Sequence, residues 1–213
     1  MTAPIGILGG TFDPVHHGHL RLAIECLERV GLQEVRLVPL YTPPHRQSPR
    51  ATPEHRLAML KLAVENIDGL NIDESELHRE GVSYTVKTVS SLRQKLGDTP
   101  VCLVMGADAF GSLNTWRDWK SLLDYVHIVI AARSFGPSFL ADELQSFAEN
   151  HIVSDIQALH NNGAGKIYKL AVPLLDISAT QIRRILADGL DENCLLPVPV
   201  MEYIHTHKLY DCH

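Results

Sequence analysis

Three histidines, His16, His17 and His19, stand close together near the start of the chain. They follow an apolar run that reaches Gly9 and Gly10, and they precede a segment with helical periodicity. Because His16 and His19 are three positions apart, at the start of a helix they share one face and can reach the same anion. Their imidazole N–H groups would add to the positive end of the helix dipole. The pattern therefore predicts a phosphate site at a strand-to-helix turn.

Two other interpretations of these residues stay open. A histidine near a helix start is usually a solvated residue, and His17, on a different face, fits that description. Histidines can also bind zinc, but here no H-E-x-x-H pattern and no nearby cysteine pair supports a metal site. The pair Gly9 and Gly10 is a weak signal alone, since any tight turn after a strand favours glycine. Phosphate chemistry is the preferred interpretation.

A second segment with anion-binding character is DISATQIRRILADG, residues 176–189. Ser178 with Gln181 three positions later is a capping-box pattern, and Gly189 suits the end of the helix that it starts. Arg183 then lies on the first turns of this helix. Taken alone, the segment is better explained as an ordinary capped helix with a solvated arginine. When the segment is considered together with the histidine site, phosphate binding becomes the better interpretation, because a triphosphate needs several hydrogen-bond donors.

Two more groups of residues have types suited to a nucleotide site. Gly106 and Asp108 follow the apolar run VCLVMG, so they should lie at the carboxyl edge of a sheet, where they meet a ribose or a metal-bound phosphate. Alternatively, they only cap the next helix. Trp116 and Trp119 are the only two tryptophans, and core packing is the default for such a pair.

The elements that must position these residues alternate between strands and helices. Apolar runs predict buried strands at 4–9, 35–40, 101–106, 127–132 and 166–172. Helical patterns follow at 20–27, at 53–69 with Thr52 as cap, and at 83–97, and the segment from about 173 to 213 is expected to be helical. In the first helix Arg21, Glu25 and Glu28 are expected on the polar face. The alternation predicts an α/β fold with a doubly wound, Rossmann-like parallel sheet and helices on both faces.

Composition limits the class of protein. The 213 residues are 45% hydrophobic and 21% charged, as in a globular chain, and we expect a single domain over 1–213. The net charge of −6 argues against nucleic acid or an anionic membrane as a partner. Four cysteines without a C-x-x-C pair predict buried free thiols, and no leader or spanning run is visible, so we expect a cytoplasmic protein. Whether copies associate into a homo-oligomer is left open.

The segment GGTFDPVHHGH resembles the signature of the HxGH nucleotidyltransferases, present here as His16-His17-Gly18-His19. Its GGTFDP lead resembles that of the bacterial nicotinate mononucleotide adenylyltransferases. Further matches in the family's order are PPHR at 43–46, HRLAML at 55–60, GADAF at 106–110, WRDW at 116–119 and ISATQIR at 177–183. The chain departs from the family in having RSFG at 133–136 instead of R-P-G, and Ala179 where serine is common.

The resemblance implies adenylyl transfer from ATP to nicotinate mononucleotide, with Mg²⁺ bound together with ATP and no fixed protein ligands for the metal. By their positions in the matching motifs, the resemblance implies catalytic roles for His16, His19 and Arg183. The implied ATP-binding residues are Gly9, Gly10, Thr11, Phe12, His16, His19, Gly106, Asp108, Arg133, Ser178, Thr180 and Arg183. The RSFG departure makes the contacts of Arg133 the least defined of these.

For the second substrate the resemblance implies that Trp116 stacks on the pyridine ring, while Trp119 is expected in the core. A helix opening at Ser83 would offer N–H groups around Tyr84 and Thr85, and together with backbone N–H groups near Arg117 these would favour a carboxylate over an amide. The loop TPPHRQSPR, 42–50, is expected to close over the phosphates and to use His45 and Arg46.

Two competing functions share part of this pattern. A sister transferase that uses phosphopantetheine or a cytidine nucleotide has the same histidine motif, but the PPHR, WRDW and ISATQIR segments argue against it. A non-catalytic nucleotide sensor belongs to a different class of protein, and it would bind ATP without releasing pyrophosphate.

Overall fold

The computed structural model describes residues 2–42, 48–79, 81–135 and 140–211. The expected phosphate contacts of His45 and Arg46 lie outside these residues and stay a prediction. The same holds for Cys212.

Seven strands of the described chain form one sheet. They are β1 Ile5–Gly10, β2 Glu34–Pro39, β3 Leu70–Ile72, β4 Val101–Gly106, β5 His127–Ala132, β6 Ile152–Val153 and β7 Ile167–Ala171. Their order is β3-β2-β1-β4-β5-β7-β6, and every neighbouring pair is parallel. The predicted doubly wound parallel sheet is therefore confirmed. The five apolar runs are five of its strands, whereas β3 and β6, at the two edges, were not predicted.

Helices cover both faces of this sheet. They are α1 His17–Val30, α2 Pro53–Val64, α3 Thr85–Leu96, α4 Ala107–Gly111, α5 Leu122–Tyr125, α6 Asp142–His151, α7 Gln157–His160, α8 Ala179–Ala187 and α9 Val198–His207. Short 3-10 helices span Leu113–Thr115, Trp119–Ser121 and Leu209–Asp211. Buried side chains of α1, α2, α8 and α9 share one apolar core, and those of α3, α5 and α6 share the other.

The local sequence pattern predicted the start of α2 correctly but not the start of α3. Thr52 caps α2, because its hydroxyl accepts a hydrogen bond from the backbone N–H of His55 at 3.4 Å. The helix at 83–97 begins later than predicted, at Thr85, and Ser83 does not open it. Instead the buried Ser83 hydroxyl accepts a hydrogen bond from the backbone N–H of Tyr41 at 3.1 Å. A contact to the segment after β2 thus replaces the local cap.

Glu25 lies on the predicted polar face of α1, between Arg21 and Arg29, but it is not exposed to solvent. Its side chain is buried, with only 1% exposed, because Arg21 and Arg29, one turn to either side, both donate hydrogen bonds to its carboxylate. The hydrogen bond from Arg29 is the largest cause of a lowered pKa for Glu25. Two flanking cations therefore cover a carboxylate that the helical pattern places in water.

The expected buried thiols are found at two positions. Cys26 and Cys102 are buried, and burial raises the pKa of both, that of Cys26 to about 12. The expectation is wrong for Cys194, which is exposed. In the part of the chain that the structure describes, no helix has the length and apolar character needed to cross a bilayer.

Candidate active site

The sheet has its topological switch point between β1 and β4. The chain leaves β1 toward β2 on one side and leaves β4 toward β5 on the other, so the carboxyl ends of β1 and β4 border a crevice. Gly9 and Gly10 are the last residues of β1, not part of the turn as expected. A Cβ on Gly10 would lie 2.9 Å from the Phe12 ring, whereas a Cβ on Gly9 or Gly106 would meet no atom within 4 Å. Two glycines thus leave open space at the crevice.

Residues 11–16, called here the histidine loop, join β1 to α1. Phe12 is buried in a left-handed conformation with φ 49°. The buried carboxylate of Asp13 accepts hydrogen bonds from the backbone N–H groups of Arg50 and Ala51, at 2.8 and 3.1 Å, and from the Tyr210 hydroxyl at 2.8 Å. Sequence reasoning missed Asp13, because all of these partners are distant in the chain.

The loop ends at the two histidines that the spacing placed on one face. His16 is the N-cap of α1, and its ring stacks on that of His19 with 3.7 Å between the centroids. Phe12 packs edge-on against His19 at 4.9 Å. Burial is the main cause that lowers the pKa of His16 to about 4, and the nearby charge of His17 adds to it. His16 is therefore neutral at pH 7, and its Nδ1 is buried without a hydrogen-bond partner among the described residues.

Gly18, inside the histidine motif, has a steric reason to be glycine. A Cβ at this position would lie 2.9 Å from His16 Nδ1 and 3.3 Å from the carbonyl oxygen of Ile177. The first turn of α1 therefore packs against both the catalytic candidate and the segment before α8. Sequence reasoning assigned Gly18 no role, although a glycine in the first turn of a helix was a usable signal because it costs helix stability.

The start of α8 lies against the histidine loop. Ser178 caps it as predicted, accepting a hydrogen bond from the N–H of Gln181 at 3.2 Å. Arg183 donates to the carbonyl oxygen of Asp13 at 2.6 Å and to the Thr180 hydroxyl at 3.2 Å. Its guanidinium is also 3.7 Å from the Asp13 carboxylate, and only 21% of its side chain is exposed. The interpretation of Arg183 as a solvated arginine is therefore wrong.

Arg133 and Asp108 occupy the exposed rim of the same edge. Arg133 follows β5, donates to the carbonyl oxygen of Leu174 at 3.0 Å and lies 3.8 Å from the carboxylate of Asp176, in the segment that leads to α8. Asp108 is in the first turn of α4, directly after Gly106 and β4. Asp108 therefore lies at the carboxyl edge of the sheet, as predicted, and Arg133 follows a strand next to β4.

The structure brings together two of the residues expected for the second substrate, Arg117 and Tyr84. The guanidinium of Arg117 lies over the ring of Tyr84, 4.8 Å from its centroid. Tyr84 is the N-cap of α3 and Thr85 its first residue, so the first N–H groups of that helix are close by. Trp116 is partly buried against the core, while Trp119 is buried and packs edge-on against Phe147 at 4.7 Å, which confirms it as a core residue.

A buried cation that sequence reasoning missed connects the two regions. Arg56, fully buried in α2, donates to the carbonyl oxygen of Thr11 at 2.7 Å and to that of Tyr41 at 3.3 Å. The N–H of Tyr41 in turn bonds Ser83, next to the start of α3. One guanidinium therefore fixes both the histidine loop and the segment after β2. An arginine on the apolar face of a helix was the available signal.

Comparisons with known proteins agree with this arrangement. A family model described as cytidylyltransferase-like matches residues 7–185. A probable nicotinate-nucleotide adenylyltransferase of Aeromonas salmonicida is 43% identical over 211 residues, which cover 99% of this chain and 98% of the relative. A protein with the same description from Methylococcus capsulatus is 45% identical over 207 residues, covering 97% and 99%.

Solved structures share the fold at low sequence identity. The nicotinic acid mononucleotide adenylyltransferase of Plasmodium falciparum, complexed with NaAD, superposes with a TM-score of 0.74 at 18% identity and covers 99% of this chain and 98% of that one. A putative nicotinate-nucleotide adenylyltransferase from Vibrio parahaemolyticus gives 0.65 at 15% identity, covering 99% and 96%. These likenesses show the fold.

Proposed function

The chain belongs to the cytidylyltransferase-like family and, within it, to the nicotinate-nucleotide adenylyltransferases, and on this premise we propose that it transfers the adenylyl group of ATP to nicotinate mononucleotide. The products are nicotinate adenine dinucleotide and pyrophosphate, so the reaction is a step of NAD biosynthesis. The observation that carries the proposal is the stacked pair His16 and His19, at the N-terminus of α1 and at the switch point of the sheet.

The reaction needs no nucleophile from the protein. An oxygen of the mononucleotide's 5′-phosphate attacks the α-phosphorus of ATP, the bond from that phosphorus to the bridging oxygen breaks, and pyrophosphate leaves with the electron pair. The protein has to align the two phosphates and to stabilise the charge that moves onto the leaving group.

The neutral imidazole of His16 at a helix N-terminus suits this task. His16 is neutral at pH 7 because of its lowered pKa, so it donates through one ring N–H and does not carry a full charge. In the proposed site His16 and His19 donate to the α- and β-phosphates, where negative charge grows in the transition state. The N-terminus of α1 adds its dipole to the same region.

The remaining nucleotide contacts come from both sides of the crevice. Without a Cβ, Gly9 and Gly106 let the nucleotide approach the backbone closely, and Thr11 and Phe12 offer backbone groups. Thr180, with Ser178 at the cap of α8, reaches the leaving phosphates, and Arg133 lies at the rim. A guanidinium has five N–H donors, so the contacts of Arg183 with Asp13 and Thr180 leave others for pyrophosphate.

Magnesium enters this proposal together with ATP. Mg²⁺ is commonly held by one or two carboxylates and the phosphates of its substrate, and it neutralises triphosphate charge. Over residues 2–42, 48–79, 81–135 and 140–211, no group of three histidine, cysteine or acidic side chains is placed to hold a metal ion. The exposed carboxylate of Asp108, after β4, is the protein group that we propose to meet either the ribose or the metal-bound phosphates.

The residues near the start of α3 support a preference for the acid substrate. In the proposed site Trp116 stacks on the pyridine ring. The first N–H groups of α3, at Tyr84 and Thr85, donate hydrogen bonds to the substrate carboxylate, and so do the backbone N–H groups near Arg117. An amide presents an NH₂ group that cannot accept these hydrogen bonds, and each donor left unpaired costs about 1–3 kcal/mol.

Pyrophosphate release tests the function directly. The purified chain is given ATP and Mg²⁺ with nicotinate mononucleotide, with nicotinamide mononucleotide, with phosphopantetheine, or with no acceptor. Release that depends on the nicotinate acceptor supports the proposal. Release only with phosphopantetheine would identify a sister transferase, and ATP binding without release would identify a sensor.

A further inference from the structure

The C-terminal segment of the described chain ends against the histidine loop, and we propose that Tyr210 is a positioning residue for that loop. The proposal rests on the proposed function, because the side chains that the loop positions are His16 and His19. It assigns a role to the residues that follow α9, for which the sequence predicted no function.

The contact that carries the proposal is a hydrogen bond between buried side chains. The Tyr210 hydroxyl donates to Asp13 Oδ1 at 2.8 Å, and Tyr210 is 6% exposed while Asp13 is 4% exposed. Burial, and then the charge of Asp13, raise the pKa of Tyr210 far above its usual value. The hydroxyl therefore keeps its proton and remains a donor across the pH range in which the protein is folded.

The backbone of the segment is held in a conformation that it would not adopt alone. After α9, three residues that are not glycine have positive φ within four positions, namely Lys208 at 51°, Tyr210 at 65° and Asp211 at 60°. Such conformations are costly for residues with a Cβ, so they persist only where contacts impose them. Here the contacts are those of the buried ring and hydroxyl of Tyr210.

Asp13 transmits this contact to the site. Its carboxylate also accepts from the N–H groups of Arg50 and Ala51, and Arg183 lies 3.7 Å away, so three segments distant in sequence meet on one side chain. His16 follows Asp13 by three residues, and the loop between them contains no helix or strand. Removing the hydroxyl leaves a buried carboxylate short of one donor and frees the loop to move.

The test is the variant Tyr210→Phe, with Tyr203→Phe as the matched control. Tyr203 lies in α9, and its hydroxyl bonds His55 Nδ1 at 3.0 Å, away from Asp13. Because the loosened loop lets His16 and His19 shift, and a small displacement at a reacting centre lowers the rate strongly, kcat should fall by roughly tenfold. We expect that loss in Tyr210→Phe with KM for nicotinate mononucleotide within about twofold of wild type, and a kcat near wild type in Tyr203→Phe.

A double-mutant cycle and one spectroscopic readout separate positioning from general stability. In the Asp13→Asn background, Tyr210→Phe should change kcat by less than about threefold, because the charged acceptor is already gone. The pKa of His16, followed by NMR of its ring, should move from about 4 toward the usual histidine value in Tyr210→Phe, as the loosened loop admits water beside His16, His17 and His19.

The outcomes distinguish this proposal from the proposed function. Wild-type kcat and an unchanged His16 titration in Tyr210→Phe would overturn it, and so would an equal loss of kcat in Tyr203→Phe. The NMR titration needs no turnover. If the wild-type chain fails to release pyrophosphate but the His16 titration still moves in Tyr210→Phe, the proposed reaction is wrong and the positioning contact stands.

Discussion

The substitution Gly18→Ala adds one methyl group at the point where α1 meets the catalytic candidate. The new Cβ would lie 2.9 Å from His16 Nδ1 and 3.3 Å from the carbonyl oxygen of Ile177. Favourable contacts between such atoms are about 3.5 Å or longer, so the ring or the backbone must move by roughly half an ångström. Since a displacement of 1 Å at a reacting centre can cost about 10² in rate, we expect kcat to fall roughly tenfold.

The same change should leave stability nearly unaltered. Gly18 is in the first turn of α1, and alanine is favoured over glycine in a helix by about 1 kcal/mol, which offsets the cost of the displaced ring. Turnover and the free energy of unfolding therefore respond differently. A loss of kcat without a loss of stability identifies a local displacement of His16.

The assay is steady-state pyrophosphate release, paired with urea unfolding of each protein. Gly111→Ala is the control, because Gly111 is also helical, in α4, and its Cβ would meet no atom within 4 Å. We expect wild-type kcat in the control. Wild-type kcat in Gly18→Ala would contradict this reasoning, and so would an equal loss of kcat in Gly111→Ala. Either result would show that the position of His16 does not depend on the absence of a Cβ at Gly18.

Three further changes probe the site from other directions. Replacing His19 with alanine should lower kcat by roughly 10² or more with little change in ATP affinity, whereas His17→Ala should be nearly silent in the same assay. Trp116→Ala should weaken both mononucleotides while sparing the preference for the acid, measured as the ratio of their kcat/KM values. The free energy of unfolding measured from pH 7 to pH 4 tests the burial of His16, whose pKa of about 4 lies below the usual histidine value of 6.5. Between pH 6.5 and pH 4 the unfolded state binds more protons than the folded state, so the free energy of unfolding falls as the pH falls. Over this range the wild type should lose about 3 kcal/mol more of its free energy of unfolding than His16→Gln. If the two proteins lost the same amount, the burial of the His16 ring would be contradicted.

The central strands could be predicted from sequence because they are buried on both faces. Such strands are continuous apolar runs, as in HIVIAA, which is β5 without any change of boundary. β3 and β6 have three and two residues and lie at the edges of the sheet, so neither is long enough to leave a pattern. Glu25 shows a different limit, since its burial depends on two arginines that helical periodicity places in water.

Local pattern also predicted two features at the helix starts correctly. The spacing of His16 and His19 and the cap at Ser178 follow from rules that act within one helical turn, and the structure has both. Ser83 was misjudged because its hydroxyl bonds a residue of another segment, Tyr41, and not its own helix. A capping preference competes with every other donor that the fold brings close.

What the sequence could not show is how the histidine loop is held. The loop has no ladder or helix of its own, so hydrogen bonds from distant segments fix it at three points: Arg56 at the carbonyl of Thr11, Arg183 at the carbonyl of Asp13, and Tyr210 at the Asp13 side chain. These bonds and the others to the Asp13 carboxylate span 37 residues or more, and the longest, to Tyr210, spans 197. Because hydrogen bonds of that span leave no periodic trace, motif residues can be recognised locally while their geometry depends on the whole chain. A variant that keeps the histidine motif but ends before Tyr210 should therefore have a lower kcat than the full chain in the pyrophosphate-release assay.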